Sequence, residues 1–362
     1  MNRRSKPELN HLPRPHRFPG TQNSARRNPL RTALGATFAA GLALTASGCR
    51  QSQQTVFFER ADVSLDLPHE LATRASGPQG DMYQLVRATA IDVNDFVTDL
   101  VEGMATIVEY LDEQPPTHEN GDWRIYGPFD DDNDRDLAWA IKIQGDETRT
   151  EFVVLAATRG TADLDDFSAL LNGELRIDGE SREGGINLHF DIFEELPQAK
   201  DPNDQAKTFG GTVAVSFDRN IDTGAKNIEI DFQDFQVIDE SFLEGDSFYS
   251  DDKYQFGRNP DGSGRFHLAL WGEFDDNGWS GEATERMQLD AIWDGNRAGR
   301  ARGRIEEVDG SGDLKHGDLE ISECFDADGS LTWRTINEAY ASELPDYPFG
   351  DPTSCVYADS DL

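Results

Sequence analysis

The sequence predicts a mainly β fold: a long antiparallel meander, a curled sheet or open barrel, packed on one long N-terminal α-helix. Three observations predict it. Apolar residues recur three or four apart from Asp81 to Glu113. Beyond that stretch the period changes to two, with one apolar and one charged face. Asn-Gly and Asp-Gly dipeptides, which supply the positive φ of tight hairpins, punctuate the alternating runs.

The helix comes first. Met82, Leu85, Val86, Val93, Phe96, Val97, Leu100, Val101, Met104, Ile107, Val108 and Leu111 form its apolar stripe, and Pro115-Pro116 ends it. At 1.5 Å per residue it would be roughly 45 Å long. The strands follow. Leu137, Trp139, Ile141 and Ile143 alternate with polar residues, as do Ile186, Leu188, Phe190 and Ile192, and Val213, Val215 and Phe217. The run Ile228, Ile230, Phe232 changes phase to Phe235 and Val237, which predicts a bulge near Gln233-Asp234. Phe266, Leu268 and Leu270, then Met287, Leu289, Ala291 and Trp293, continue the pattern. Turns are expected at Asn120-Gly121, Asn172-Gly173, Asp178-Gly179, Asp261-Gly262, Asn277-Gly278, Asp294-Gly295, Asp309-Gly310 and Asp328-Gly329. The spacing of the last four fits strands of about a dozen residues, roughly 40 Å long, which match the helix. A sheet that long curls, and wrapping it around the helix buries both apolar faces. A membrane-spanning barrel is excluded, because the faces opposite the apolar ones carry Lys226, Glu229, Asp231, Arg286 and Asp290.

Ahead of the helix, residues 1–31 carry eight basic side chains against Glu8. An uncharged run, Thr32 to Gly48, follows and is shorter than the roughly 20 residues of a spanning helix. It ends Leu44-Thr45-Ala46-Ser47-Gly48-Cys49. Small residues before a cysteine resemble the lipobox of bacterial lipoprotein precursors. The resemblance implies that the Cys49 thiol takes a diacylglyceryl group and that the chain is cut before it. The lipid bilayer is then a partner, through two or three acyl chains. Residues 1–48 read as a lipoprotein signal peptide and 49–80 as a lipidated tether with one short strand around Val63–Leu67. Residues 81–362 read as a single helix-plus-sheet domain. In that family Asp after the cysteine favours the inner membrane; Arg50 points to the outer membrane.

The chain holds 33 Lys+Arg against 69 Asp+Glu, a net charge of −36. Without residues 1–48 it would hold 25 against 68, a net charge of −43. Such a domain repels nucleic acid and anionic surfaces, so nucleic-acid binding is excluded. With Cys49 acylated, Cys324 and Cys355 remain, and in an oxidising compartment they pair most simply with each other, tying the tail to a strand.

Candidate chemistry is sparse. Asp326, Asp328 and Ser330 begin like an oxygen-ligand calcium loop, but the glycine is fourth and Asn337 takes the twelfth place. Asp218, Asn220 and Asp222 share the alternate spacing, and residues 130–136 are acidic without a turn glycine. Histidines 69, 118, 189, 267 and 316 lack zinc spacing, and no nucleophile elbow occurs, so no catalytic residue is assigned. The helix-plus-meander pattern also looks like periplasmic lipoprotein-carrier and lipid-binding lipoproteins, which hold acyl chains between sheet and helix. Three classes of function are therefore expected. The first is a non-enzymatic structural or interaction lipoprotein of the cell envelope. The second is a carrier or sensor of an apolar ligand, and the third a calcium-dependent or carboxylate-based hydrolase.

Overall fold

The computed structural model describes residues 56–67, 78–112, 114–131, 136–199, 207–239, 247–250, 253–272, 285–307, 314, 316–342, 345 and 347–362. Its first element is a single helical turn, α1 (Arg60–Val63), and its second the long helix α2 (Asp81–Asp112), 32 residues and so about 48 Å. The stripe read from the sequence is the buried face of α2: Val86, Val93, Val97, Leu100, Val101, Met104, Val108 and Leu111 are all in the core, joined by Tyr83 and Ala90.

The sheet is antiparallel, and nearly every strand pairs with its neighbours in sequence. It begins with β1 (His118–Asn120), β2 (Trp123–Asp130), β3 (Leu137–Gly145), β4 (Arg149–Thr158), β5 (Ser168–Asp178), β6 (Ser181–His189), β7 (Lys207–Asn220) and β8 (Lys226–Asp239). Two pieces, β9 (Ser247–Ser250) and β10 (Lys253–Arg258), both pair with β8 and with β11 (Gly264–Gly272). The meander then runs through β12 (Glu285–Trp293), β13 (Gly299–Glu307), β14 (Leu319–Phe325), β15 (Leu331–Ile336) and β16 (Phe349–Gly350). Among the described residues the end strands β1 and β16 do not pair, so the sheet is not closed. The strands are mostly shorter than the expected dozen residues; only β5, β7 and β8 reach that range.

The two ends of the sheet are built differently. One end carries short turns, and a side chain caps its own turn in most of them. Asp146 accepts from the amides of Thr148 and Arg149, Asn220 from Thr223, Asp261 from Ser263, Asp294 from Ala298, and Asp326 from Asp328 and Ser330. Such bonds replace the missing ladder partners of a hairpin tip. Longer connections, such as residues 159–167 and the described stretch 190–199, lie at the other end.

Turn dipeptides 261–262, 294–295 and 328–329 fall between strands, and 120–121 and 178–179 straddle the ends of β1 and β5. Positions 277–278 and 309–310 lie outside the described residues. Asn172-Gly173 is a correction: it sits inside β5, not in a turn. A Cβ on Gly173 would come within 2.7 Å of the Phe152 ring, so the glycine serves close packing across strands. The expected bulge is present. Gly210 pairs with Gln236 and Thr212 with Gln233, leaving an extra residue on β8, where Asp234 has φ 50°.

Two further corrections concern the N-terminal segment. Residues 56–67 are not tether: Phe58, Val63, Leu65 and Leu67 are buried in the same core as α2 and the sheet. The short strand expected at Val63–Leu67 is instead the end of α1 followed by extended chain, and Leu65 exchanges both backbone bonds with the Asn94 amide. Lys226, expected on the outward face, points inward and is buried. The interior is rich in aromatic contacts. Phe58 packs against Phe57, Phe152 and Phe217, and Phe190 against Phe193, Phe209 and Phe235.

Candidate functional site: a rung of cations closed by the N-terminal segment

Four inward-facing cations stand side by side at the short-turn rim. Arg182 of β6 is the register partner of Arg219 on β7, Arg219 of Lys226 on β8, and Lys226 of Arg258 on β10. With strands about 4.8 Å apart, they form a row roughly 15 Å long. Each continues the apolar phase of its own strand, after Ile186 and Leu188, Val215 and Phe217, Ile228 and Ile230, or Tyr254 and Phe256. A charge at such a position must find a partner or stay in water.

The partners come from the N-terminal segment. Glu59, Asp62 and Asp66 are spaced so that the turn of α1 presents all three to the row. Asp62, fully buried, takes a bidentate pair from Arg182, with Nε–Oδ1 2.9 Å and Nη2–Oδ2 2.8 Å. Arg219 Nη1 lies 3.0 Å from Asp62 Oδ1 and 3.1 Å from Glu59 Oε2. Lys226 Nζ meets Asp66 at 2.7 Å and donates to the Ala61 carbonyl and Ser64 Oγ, both at 3.3 Å. Arg258 shares Asp66 at 3.1 Å. Burial pulls the Lys226 ammonium below its ordinary pKa, with Asp66 opposing. Backbone contacts add to the hold: the Val56 carbonyl accepts from Thr150 and the Phe57 carbonyl from Arg182.

The same rung continues as an apolar half through Gly264, Trp293, Gly299, Phe325 and Leu331. Here the start of α2 closes the rim. Tyr83 stacks on Phe325 at 4.2 Å, and the Leu331 amide donates to the Pro78 carbonyl at 2.7 Å. One step inward, Glu323 of β14 caps α2, accepting from the amides of Asp81 (2.9 Å), Met82 (2.8 Å) and Tyr83 (3.4 Å). Arg334 and the Tyr347 hydroxyl both bind Asp81 at 3.2 Å. Burial and the neighbouring Asp81 push Glu323 up to about 7, against the pull of the three amides.

Chemically the rim is a charge-paired closure. The sequence-predicted residues are dispersed. Cys49 lies outside the described residues. Cys324 and Cys355 form a disulfide with Cα atoms 5.5 Å apart, joining β14 to the tail as expected. Asp326 spends one oxygen on its own turn, Asp328 is exposed, and Ser330 is buried. Among the described residues no group of three or more His, Cys, Asp or Glu is placed to hold a metal ion, and no helix is long and apolar enough to cross a membrane. His267 Nδ1 pairs with Asp290 at 2.7 Å, and Asp290 with Arg302, on the outer face. The sequence reading missed the cation row; the signal was a basic residue in the inward phase at four strand ends. No family model matches the chain, and no significant likeness to a curated protein or a solved structure is found.

Proposed function

We propose that the protein is a lipoprotein of the bacterial cell envelope with a structural or interaction role, anchored through acyl chains on Cys49, with the cation rim turned towards the bilayer. One observation carries the reading. The segment that docks into the rim includes Val56, seven residues after Cys49. Seven residues span at most about 25 Å. An anchor at Cys49 would therefore hold the rim close to the membrane and fix which end of the barrel faces outward. Arg50 favours the outer membrane as the site. The test is to produce the full precursor in a Gram-negative host with a clickable fatty acid. Acylated chains starting at Cys49, and loss of label in Cys49→Ser, support the reading. An unacylated chain cut elsewhere sinks it.

A second reading, a carrier of an apolar ligand with a polar head, is favoured by two hydroxyls. Among the described residues, Tyr254 Oη and Thr98 Oγ1 are buried without a hydrogen-bond partner. A buried unpaired hydroxyl is costly, and a ligand's polar atom would satisfy it. Native mass spectrometry of residues 50–362 separates the two readings. Extra mass lost on denaturation supports a carrier, and a bare polypeptide removes it.

A further inference from the structure

We infer that Arg300, Ser322 and Trp333 form a carboxylate-binding site on the outer face of the sheet, that the protein's own C-terminal tail fills it, and that the Cys324–Cys355 disulfide controls whether the tail stays. The inference is independent of the anchor on Cys49.

The site is built. Arg300, in β13, is buried although it faces outward, and its guanidinium makes four hydrogen bonds. Nε and Nη2 donate to Ser322 Oγ at 3.0 and 2.9 Å, and Ser322 is itself 2% exposed. Nη2 also reaches Asp359 Oδ1 at 2.8 Å, and Nη1 the Tyr357 carbonyl at 3.3 Å. The Trp333 ring lies 5.1 Å from the guanidinium carbon. An arginine held by a serine and stacked on an indole is preorganised for a carboxylate. The occupant pattern is explicit: a backbone carbonyl, then an Asp two residues later.

The tail that supplies these groups is weakly held otherwise. Residues 348–354 are exposed, as is most of 356–361, and Val356 is 56% exposed. Its β pairing with the sheet is two residues, Phe349 with Arg334 and Gly350 with Trp333. Segments with little buried apolar surface open at low cost, so the disulfide is the main restraint. The two sulfurs differ in access: Cys324 is 1% exposed, whereas Cys355 is half-buried. A dithiol reductant therefore attacks Cys355 Sγ. Its thiolate forms a mixed disulfide with Cys355, and Cys324 leaves as a thiolate and takes up a proton. The reductant's second thiol then displaces Cys355, closing the reductant's own disulfide. Two electrons and two protons pass to the protein, and the tail is free to exchange with an acidic peptide.

The test uses the mature chain with 5-fluorotryptophan, the Trp333 resonance being assigned by Trp333→Phe. The probe is a synthetic peptide of residues 355–362 with serine replacing its cysteine, at millimolar concentration. Reduction is expected to speed amide exchange over residues 349–362 at least tenfold while β14 and β15 stay protected. The peptide then shifts the Trp333 resonance in reduced but not oxidised protein, and the same peptide carrying Asp359→Asn loses at least tenfold in affinity. Unchanged tail exchange on reduction, no peptide shift, or equal shifts in both redox states would overturn the inference. Should reduction loosen β14 as well, Asp359→Asn in the oxidised chain serves instead. It must raise exchange over residues 357–362, and unchanged exchange there counts against the site.

Discussion

Asp62 is where the contacts of the N-terminal segment converge: two arginines, a backbone amide and complete burial. Removing one partner of a buried ion pair leaves charges without compensation, at a cost of about 3–5 kcal/mol. Asp62→Ala is therefore expected to lower the urea midpoint by that equivalent, whereas Glu59→Ala, at a half-exposed position, costs no more than about 1 kcal/mol. Similar losses from both would show that the buried pair is not what holds the segment. Glu323 makes a prediction about pH. Its folded pKa, about 7, is raised above the ordinary 4.5. Its contribution to stability is therefore complete below about pH 4.5 and is lost as pH rises through 7, by roughly 3 kcal/mol in all. Glu323→Gln keeps an acceptor for the helix amides without the charge. Against this variant, the wild type should lose stability between pH 5 and pH 8, measured by denaturant unfolding; parallel curves would contradict the assignment.

At the level of elements, α2 approaches β13 closely because position 303 has no side chain. A Cβ on Gly303 would collide with the Met82 sulfur. Gly303→Ala should cost no more than about 1 kcal/mol, because the Met82 sulfur is the far end of a flexible side chain, and Met82→Ala in the same chain should return part of it. Additive losses in thermal unfolding would place the strain elsewhere. The helix and most strands were legible because amphipathic periodicity is a local property, carried by residues such as Val86–Val108 and Ile228–Phe232. The bulge at Asp234 was legible for the same reason: a phase change is written in the chain. Asn172-Gly173 misled because a glycine under the Phe152 ring looks the same in sequence as a glycine in a turn. The docking of residues 56–67 was not legible. Their partners Arg182, Arg219, Lys226 and Arg258 lie 120 to 192 residues away, and only register brings them into one row. The disulfide was legible because, with Cys49 set aside as the proposed lipid attachment site, two cysteines remain to pair.

Across the whole molecule, acidic excess is the dominant electrostatic fact, and the cation row is a local exception to it. Residues 50–362 carry a net charge of −43, and such self-repulsion destabilises the compact state, while salt screens it. Residues 50–362 should therefore melt at a higher temperature in 0.5 M than in 10 mM sodium chloride, approached as a plateau. A monotonic fall would mean that the paired charges at the rim outweigh the general repulsion. The strand order has a separate consequence for timing. Because each strand pairs with a neighbour in sequence, the sheet can zip hairpin by hairpin as the chain is delivered from its N-terminus, at small loop-closure cost. The start of α2 cannot finish with it. Its cap, Glu323, lies about 240 residues downstream, so those amides wait until almost the whole chain has arrived. A ribosome or translocation pore stalled before β14 would hold a sheet largely assembled around a helix whose first turn is still open.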